Sequence, residues 1–158
     1  MQHCALEKDP FPKFDSMATS IEEKRDRIVE EMSLFDDSYE RFAYVIEKGK
    51  KAEPLPDEYK IDAFRIEGCM SNLWLVPEFT DGLCQYRSDS DSPITRGVAH
   101  LLCNLYSGHT PEDVLSVDPI FLSEVGITQH LSSNRRNGLS NVTSKILGYA
   151  ELQKSQSA

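Results

Sequence analysis

The 158-residue chain carries 17 Lys and Arg against 26 Asp and Glu, a formal charge of −9. Its length suits one domain, and 39% apolar with 27% charged residues fits a packed globule rather than a disordered chain. Residues 1–63 and 64–158 are each net acidic and no basic run occurs, which excludes nucleic acid and an anionic membrane surface as partners.

The opening MQHCALEKDP has neither a basic nor an apolar signal region, so the expected compartment is the cytosol. Apolar runs such as Leu73–Val76 fall far short of the ~20 residues that cross a bilayer. Residues 1–18, with two prolines and no periodicity, read as a flexible leader ahead of a domain over 19–152. Ser20 and Glu23 form a capping-box pattern that opens a helix with Ile21, Ile28, Met32 and Phe35 on one face. Asp36 or Asp37 caps a second helix with the apolar line Tyr39, Phe42, Ala43 and Ile46, and Gly49 is expected to end it.

After a surface loop over 50–60, the period changes to that of strands. Ala63–Glu67, Asn72–Phe79 and Leu83–Ser88 predict a three-stranded antiparallel meander, with Asp81-Gly82 as a hairpin turn. Pro77 predicts a bend or an exposed edge in the middle strand. Pro93, capped by Ser92 or Ser90, starts a helix with a stripe of Ile94, Val98, Leu101, Leu102 and Leu105. Thr110-Pro111 and Asp118-Pro119 start short helices. A final helix over about Arg135 to Leu152 buries Leu139, Val142, Ile146 and Tyr149, and residues 153–158 read as a frayed tail. The expected fold is a compact α+β domain: a helix pair, the meander, then helices.

Cysteines occur at 4, 69, 84 and 103, with no CxxC and no histidine at finger spacing, which argues against a zinc site or a disulfide scaffold. Cys69 stands out because it lies at the first strand bend, between Gly68 and Met70-Ser71. A thiol in a tight turn is reachable, and turn N–H groups favour its thiolate. A buried structural cysteine is the competing reading. His130 could pair with Cys69 as a nucleophile–base couple, or serve as a hydrogen-bonded loop residue. Arg135 sits at a helix start, where the dipole gives a cation no benefit, which hints at binding. Asp89-Ser90-Asp91 reads as turn and cap chemistry, since it lacks the ligand number of a calcium loop.

The words Gly68-Cys69-Met70-Ser71-Asn72-Leu73-Trp74, Ser88-Asp89-Ser90-Asp91, Ile94-Thr95-Arg96-Gly97, Leu105-Tyr106-Ser107-Gly108 with Thr110-Pro111, and His130 to Arg135 with Gly138-Leu139 occur in an order that resembles the SufE family of sulfur-acceptor proteins. The resemblance covers about residues 20–150. It implies an α+β fold similar to the IscU-type scaffold, with the cysteine loop at one tip. It further implies that Cys69 accepts persulfide sulfur from a SufS-type cysteine desulfurase, stimulates that enzyme and delivers sulfur to an iron–sulfur scaffold complex. The pyridoxal phosphate belongs to the partner, so the chain itself needs no cofactor or metal. A homodimer is compatible with the family.

By the same resemblance Asp89, His130 and Arg135 take supporting roles; on physical grounds a persulfide needs protection from cellular thiols, and Met70, Leu73 or Trp74 is the expected apolar cover. Met70 stands where many relatives carry Gln, and Ser133-Asn134 replaces a Pro-containing turn. Three rival functions remain at this stage. A Cys69–His130 hydrolase or transferase would turn over a small substrate unaided. A protein-binding module would use Cys69 only structurally. An iron–sulfur scaffold would need several clustered ligands.

Overall fold

The computed structural model describes residues 20–68 and 70–157. The leader over 1–18 and Cys69 lie outside the described residues. Helix α1, Ile21–Ser33, opens with the expected capping box: Ser20 Oγ accepts from Glu23 N–H at 3.0 Å, and Glu23 Oε1 accepts from Ser20 N–H at 2.8 Å. Helix α2, Ser38–Lys51, is capped by Asp37, whose carboxylate accepts from Tyr39 N–H at 3.1 Å. Its buried face is Phe42, Val45 and Gly49, whereas Tyr39 and Ala43 of the expected line are exposed.

Gly49 does not end α2. It lies within the helix, where a Cβ would fall against Gly97 Cα, and a Cβ on Gly97 would lie 2.6 Å from Val45 O. The two glycines let the backbones of α2 and α3, Pro93–Tyr106, touch. Helix α3 starts as expected, with Ser92 Oγ accepting from Thr95 N–H. It packs on both α1 and α2 and forms the centre of the core through Val98, Leu102 and Leu105.

Strands β1, Leu73–Thr80, and β2, Leu83–Ser90, pair antiparallel in one register, from Leu73 opposite Ser90 to Thr80 opposite Leu83. Asp81 and Gly82 have φ of 55° and 79°, the positive values of a two-residue type I′ turn. Pro77 sits opposite Tyr86 and β1 continues through it, because the sheet has two strands and β1 lies at an edge.

The expected third strand is not formed. Asp62–Phe64 closes a 3₁₀ turn, and only an Arg65–Trp74 bridge remains, with Ile66 N–H donating to Leu73 O at 2.8 Å. The next carbonyls, of Glu67 and Gly68, accept from side chains of the last helix instead of a strand. The fold is thus α+β, with a two-stranded sheet.

Helices α4, Pro111–Leu115, and α5, Phe121–Glu124, are short, and a 3₁₀ turn over Thr128–His130 leads into α6, Ser133–Ser157. Ser132 Oγ accepts from Arg135 N–H at 3.2 Å at the start of α6. Leu139, Val142, Ile146 and Ala150 enter the core. The helix runs past the expected end at Leu152, so the segment expected to fray is helical through Ser157; it holds no Gly or Pro to stop it. The buried tyrosine hydroxyls are satisfied, with Tyr86 donating to Ile146 O at 2.9 Å and Tyr106 to Val117 O at 2.7 Å. Among the described residues no helix is long and apolar enough to cross a membrane.

Helix α1 is pinned by Lys24, whose Nζ donates to Ser107 O at 2.9 Å and lies 3.1 Å from His109 Nε2. His109 is 4% exposed, and burial followed by the Lys24 charge lowers its pKa to about 4, against opposing pulls from Asp113 and Glu22. The unfolded chain therefore binds this proton near pH 6.5, whereas the folded protein resists it down to about pH 4. Stability should fall as pH drops through that window, by about 3 kcal/mol from this group. Urea unfolding from pH 7 to 4 should show a shallower loss in His109→Gln; an identical loss would contradict the assignment.

Candidate functional site

Residues 66–68 and 70–72, ahead of β1, belong to no helix or strand, and Cys69 falls between them in sequence. Its described flanks are held by side chains. Gly68 has φ +85°, a left-handed conformation that favours glycine. Asn141 Nδ2 donates to Glu67 O at 2.6 Å, Asn137 Nδ2 donates to Gly68 O at 3.0 Å, and Met70 N–H donates to Asn134 Oδ1 at 2.7 Å. Positions 134, 137 and 141 share one face of α6, by the three- and four-residue spacing of a helix. A Cβ on Gly68 would lie 2.6 Å from Asn141 Nδ2 and 2.8 Å from Asn137 Nδ2, so glycine is needed for the amides to approach.

The far side of the loop is tied to the end of β2. Asn72 donates through N–H and Nδ2 to the two oxygens of Asp91 at 3.1 and 3.0 Å. Asn72 O accepts from Ser90 Oγ at 2.6 Å. Met70 is 86% exposed. Leu73 is fully buried and belongs to the core, and Trp74 is half-buried with the Lys60 ammonium 5.6 Å from its ring.

Asp89 is 3% exposed and accepts from Leu55 N–H at 3.0 Å and Ser90 N–H at 2.8 Å. It also pairs with Lys60 at 3.3 Å and Arg96 at 3.2 Å. A buried carboxylate needs such compensation. It joins the 52–60 segment, β2 and α3, since Arg96 also donates to Ala52 O at 2.6 Å.

Arg135 donates to Ser92 Oγ and, at 3.4 Å, to Thr95 Oγ1, linking the start of α6 to the start of α3. Next to it, Arg136 donates to Leu131 O at 2.8 Å. These bonds account for two cations at a helix N-terminus. His130 is placed elsewhere: its Nε2 lies 3.0 Å from Ser38 Oγ, and its ring stacks against Tyr39 and Phe42, all at the start of α2.

Cys84 and Cys103 are buried, and desolvation pushes both thiols up, Cys103 to about 12. Neither is a reactive thiolate near neutrality. Among the described residues no three His, Cys, Asp or Glu side chains gather as a metal site. The loop-holding roles of Asn134, Asn137 and Asn141 were missed in the sequence. Their helical spacing was the available signal, but alone it matches any solvated face.

Fold and site together define an α+β domain in which polar side chains of the last helix grip the backbone of Glu67, Gly68 and Met70, the residues that flank Cys69 in sequence. A family model described as SufE, an Fe–S metabolism associated domain, matches residues 26–150. An uncharacterized SufE-like protein of Rhizobium meliloti (strain 1021) is 30% identical over 131 residues, covering 80% of this chain and 94% of that protein. The protein named cysteine desulfuration protein SufE in Plasmodium falciparum (isolate 3D7) is 32% identical over 119 residues, covering 72% of this chain and 48% of that one. A solution structure of a hypothetical protein from Thermus thermophilus shares the fold, with a TM-score of 0.67 at 19% identity over 84% of this chain and 96% of that one. This chain belongs to the SufE family, whose domain is associated with iron–sulfur metabolism.

Proposed function

We propose that the protein accepts sulfur on Cys69 from a SufS-type cysteine desulfurase, stimulates that enzyme, and passes the sulfur to an iron–sulfur scaffold complex in the cytosol. The observation that carries this reading is the loop itself, whose backbone is held on both sides of Cys69 by neutral amides and by the Asp91–Asn72 clasp. Membership of the SufE family and the names of its relatives support it.

The transfer is an exchange at sulfur. The Cys69 thiol loses its proton to solvent, and the thiolate attacks the terminal sulfur of the partner's cysteine persulfide. The partner's sulfur–sulfur bond breaks as a new one forms on Cys69, and the partner cysteine leaves as thiolate. Nothing is oxidised or reduced overall, so this chain needs no cofactor of its own. An unperturbed thiol is only a few per cent ionised near neutrality. The clamps from the last helix are neutral amides, the one carboxylate clasp being Asp91 on Asn72, and Met70 offers the docked partner an apolar contact. Asp89 and Arg135 act by joining neighbouring elements of the fold. His130, bonded at α2, lends no support to a Cys69–His130 hydrolase.

The test is desulfurase turnover measured with and without this protein. Wild type should raise the rate, and Cys69→Ala, folded and at equal concentration, should raise it by less than a tenth as much. Equal stimulation by the variant would refute the reading.

A further inference from the structure

Resting on the sulfur-acceptor reading of Cys69, the geometry points to Asn134, Asn137 and Asn141 as positioning residues that set the backbone on both sides of the acceptor cysteine. Among the described loop residues, backbone hydrogen bonds hold the two ends, at Ile66 N–H and Asn72 O, and side chains specify the groups next to Cys69 in sequence. Three groups around Cys69 are each met by an amide of matching polarity. Asn137 and Asn141 donate to the carbonyls of Gly68 and Glu67, and Asn134 accepts the N–H of Met70.

These amides stand on a rigid support. Leu139, Val142 and Ile146 anchor the same helix in the core, so the loop takes its position from a packed helix. Gly68 is complementary, since its missing Cβ leaves the space that Asn137 and Asn141 occupy. The choice of side chain also has a chemical reason. An amide can donate or accept without charge, whereas a carboxylate here would disfavour the Cys69 thiolate and a cation would hold a persulfide anion too tightly for onward transfer.

The polarity of each bond makes the inference testable. Asn134→Asp keeps an acceptor for Met70 N–H, whereas Asn137→Asp and Asn141→Asp replace a donor with a carboxylate that faces a carbonyl. Each variant, with Asn134→Ala, would be followed by single-turnover sulfur transfer from a persulfide-loaded desulfurase and by amide hydrogen exchange at Met70. Transfer would be compared at the high-pH plateau, where Cys69 is fully ionised and added charge no longer alters its protonation.

Asn137→Asp, Asn141→Asp and Asn134→Ala should slow transfer within the complex about three- to tenfold, the worth of one hydrogen bond, with KM for the desulfurase changed less than twofold. Asn134→Asp should transfer like wild type. Met70 exchange should quicken in Asn134→Ala and stay slow in Asn134→Asp. Thermal midpoints should hold, because the amides bind a surface loop; a merely structural role would lower midpoints and leave transfer by the folded fraction unchanged. Wild-type transfer and exchange in all four variants would overturn the inference, as would equal slowing by aspartate at all three positions. If wild type takes up no sulfur, the acceptor reading fails, and Met70 exchange still decides whether Asn134 positions the loop.

Discussion

Gly97→Ala should lower the stability of the protein by about 3 kcal/mol, although alanine is the better helix former by about 1 kcal/mol. The sign follows from where the new methyl would go. It would lie 2.6 Å from Val45 O and 3.1 Å from Ile46 Cα, both backbone atoms of α2 that no rotamer change can move aside. The helices must separate, which opens the packing of Val45 and Val98 on either side. Gly49→Ala probes the same contact from α2, so the double variant should cost less than the two single losses added together. Urea unfolding reads the effect directly. A stabilised Gly97→Ala would show that the helices do not touch there.

That contact also marks the limit of sequence reading. Gly49 follows an apolar run and precedes lysines, which is how a helix stop looks, and nothing nearby in the chain reveals a glycine in another helix 48 positions away. Signals that act within a few residues were legible: the Ser20–Glu23 box, the Asp81-Gly82 turn, and the Ser92 and Thr110 caps all formed as read. The third strand was lost at both ends, to the Asp62–Phe64 3₁₀ turn and to the left-handed Gly68, beside which Asn137 and Asn141 take the carbonyls. The site was partly legible. Gly68 stood out as a turn residue, whereas Asp89 and Arg135, expected in supporting roles, bond to groups outside the loop. The asparagines that hold the loop looked like an ordinary polar face, since their partners lie about 70 residues away.

Gly68→Ala should have the larger effect on function. Its φ of +85° costs an L side chain about 1–2 kcal/mol, so global stability should fall by about that amount. The new methyl would also meet Asn141 Nδ2 at 2.6 Å and Asn137 Nδ2 at 2.8 Å. Both are ends of flexible side chains and can swing away, so the domain survives. In swinging away they release the carbonyls of Glu67 and Gly68, and the backbone beside Cys69 loses two of its clamps at once. Sulfur transfer should drop by about tenfold or more, the combined worth of two hydrogen bonds. Thermal unfolding and single-turnover transfer on the same preparation separate the two effects. Wild-type transfer in a Gly68→Ala protein of lowered stability would show that the loop's conformation does not govern the reaction.

The most direct test of the central claim is the mass of the intact protein after incubation with a cysteine desulfurase, pyridoxal phosphate and cysteine. Wild type should gain sulfur that a reductant removes, and Cys69→Ala should gain none. Sulfur on the variant, or none on wild type beside a desulfurase shown to be active and compatible, would contradict the assignment of Cys69 as acceptor.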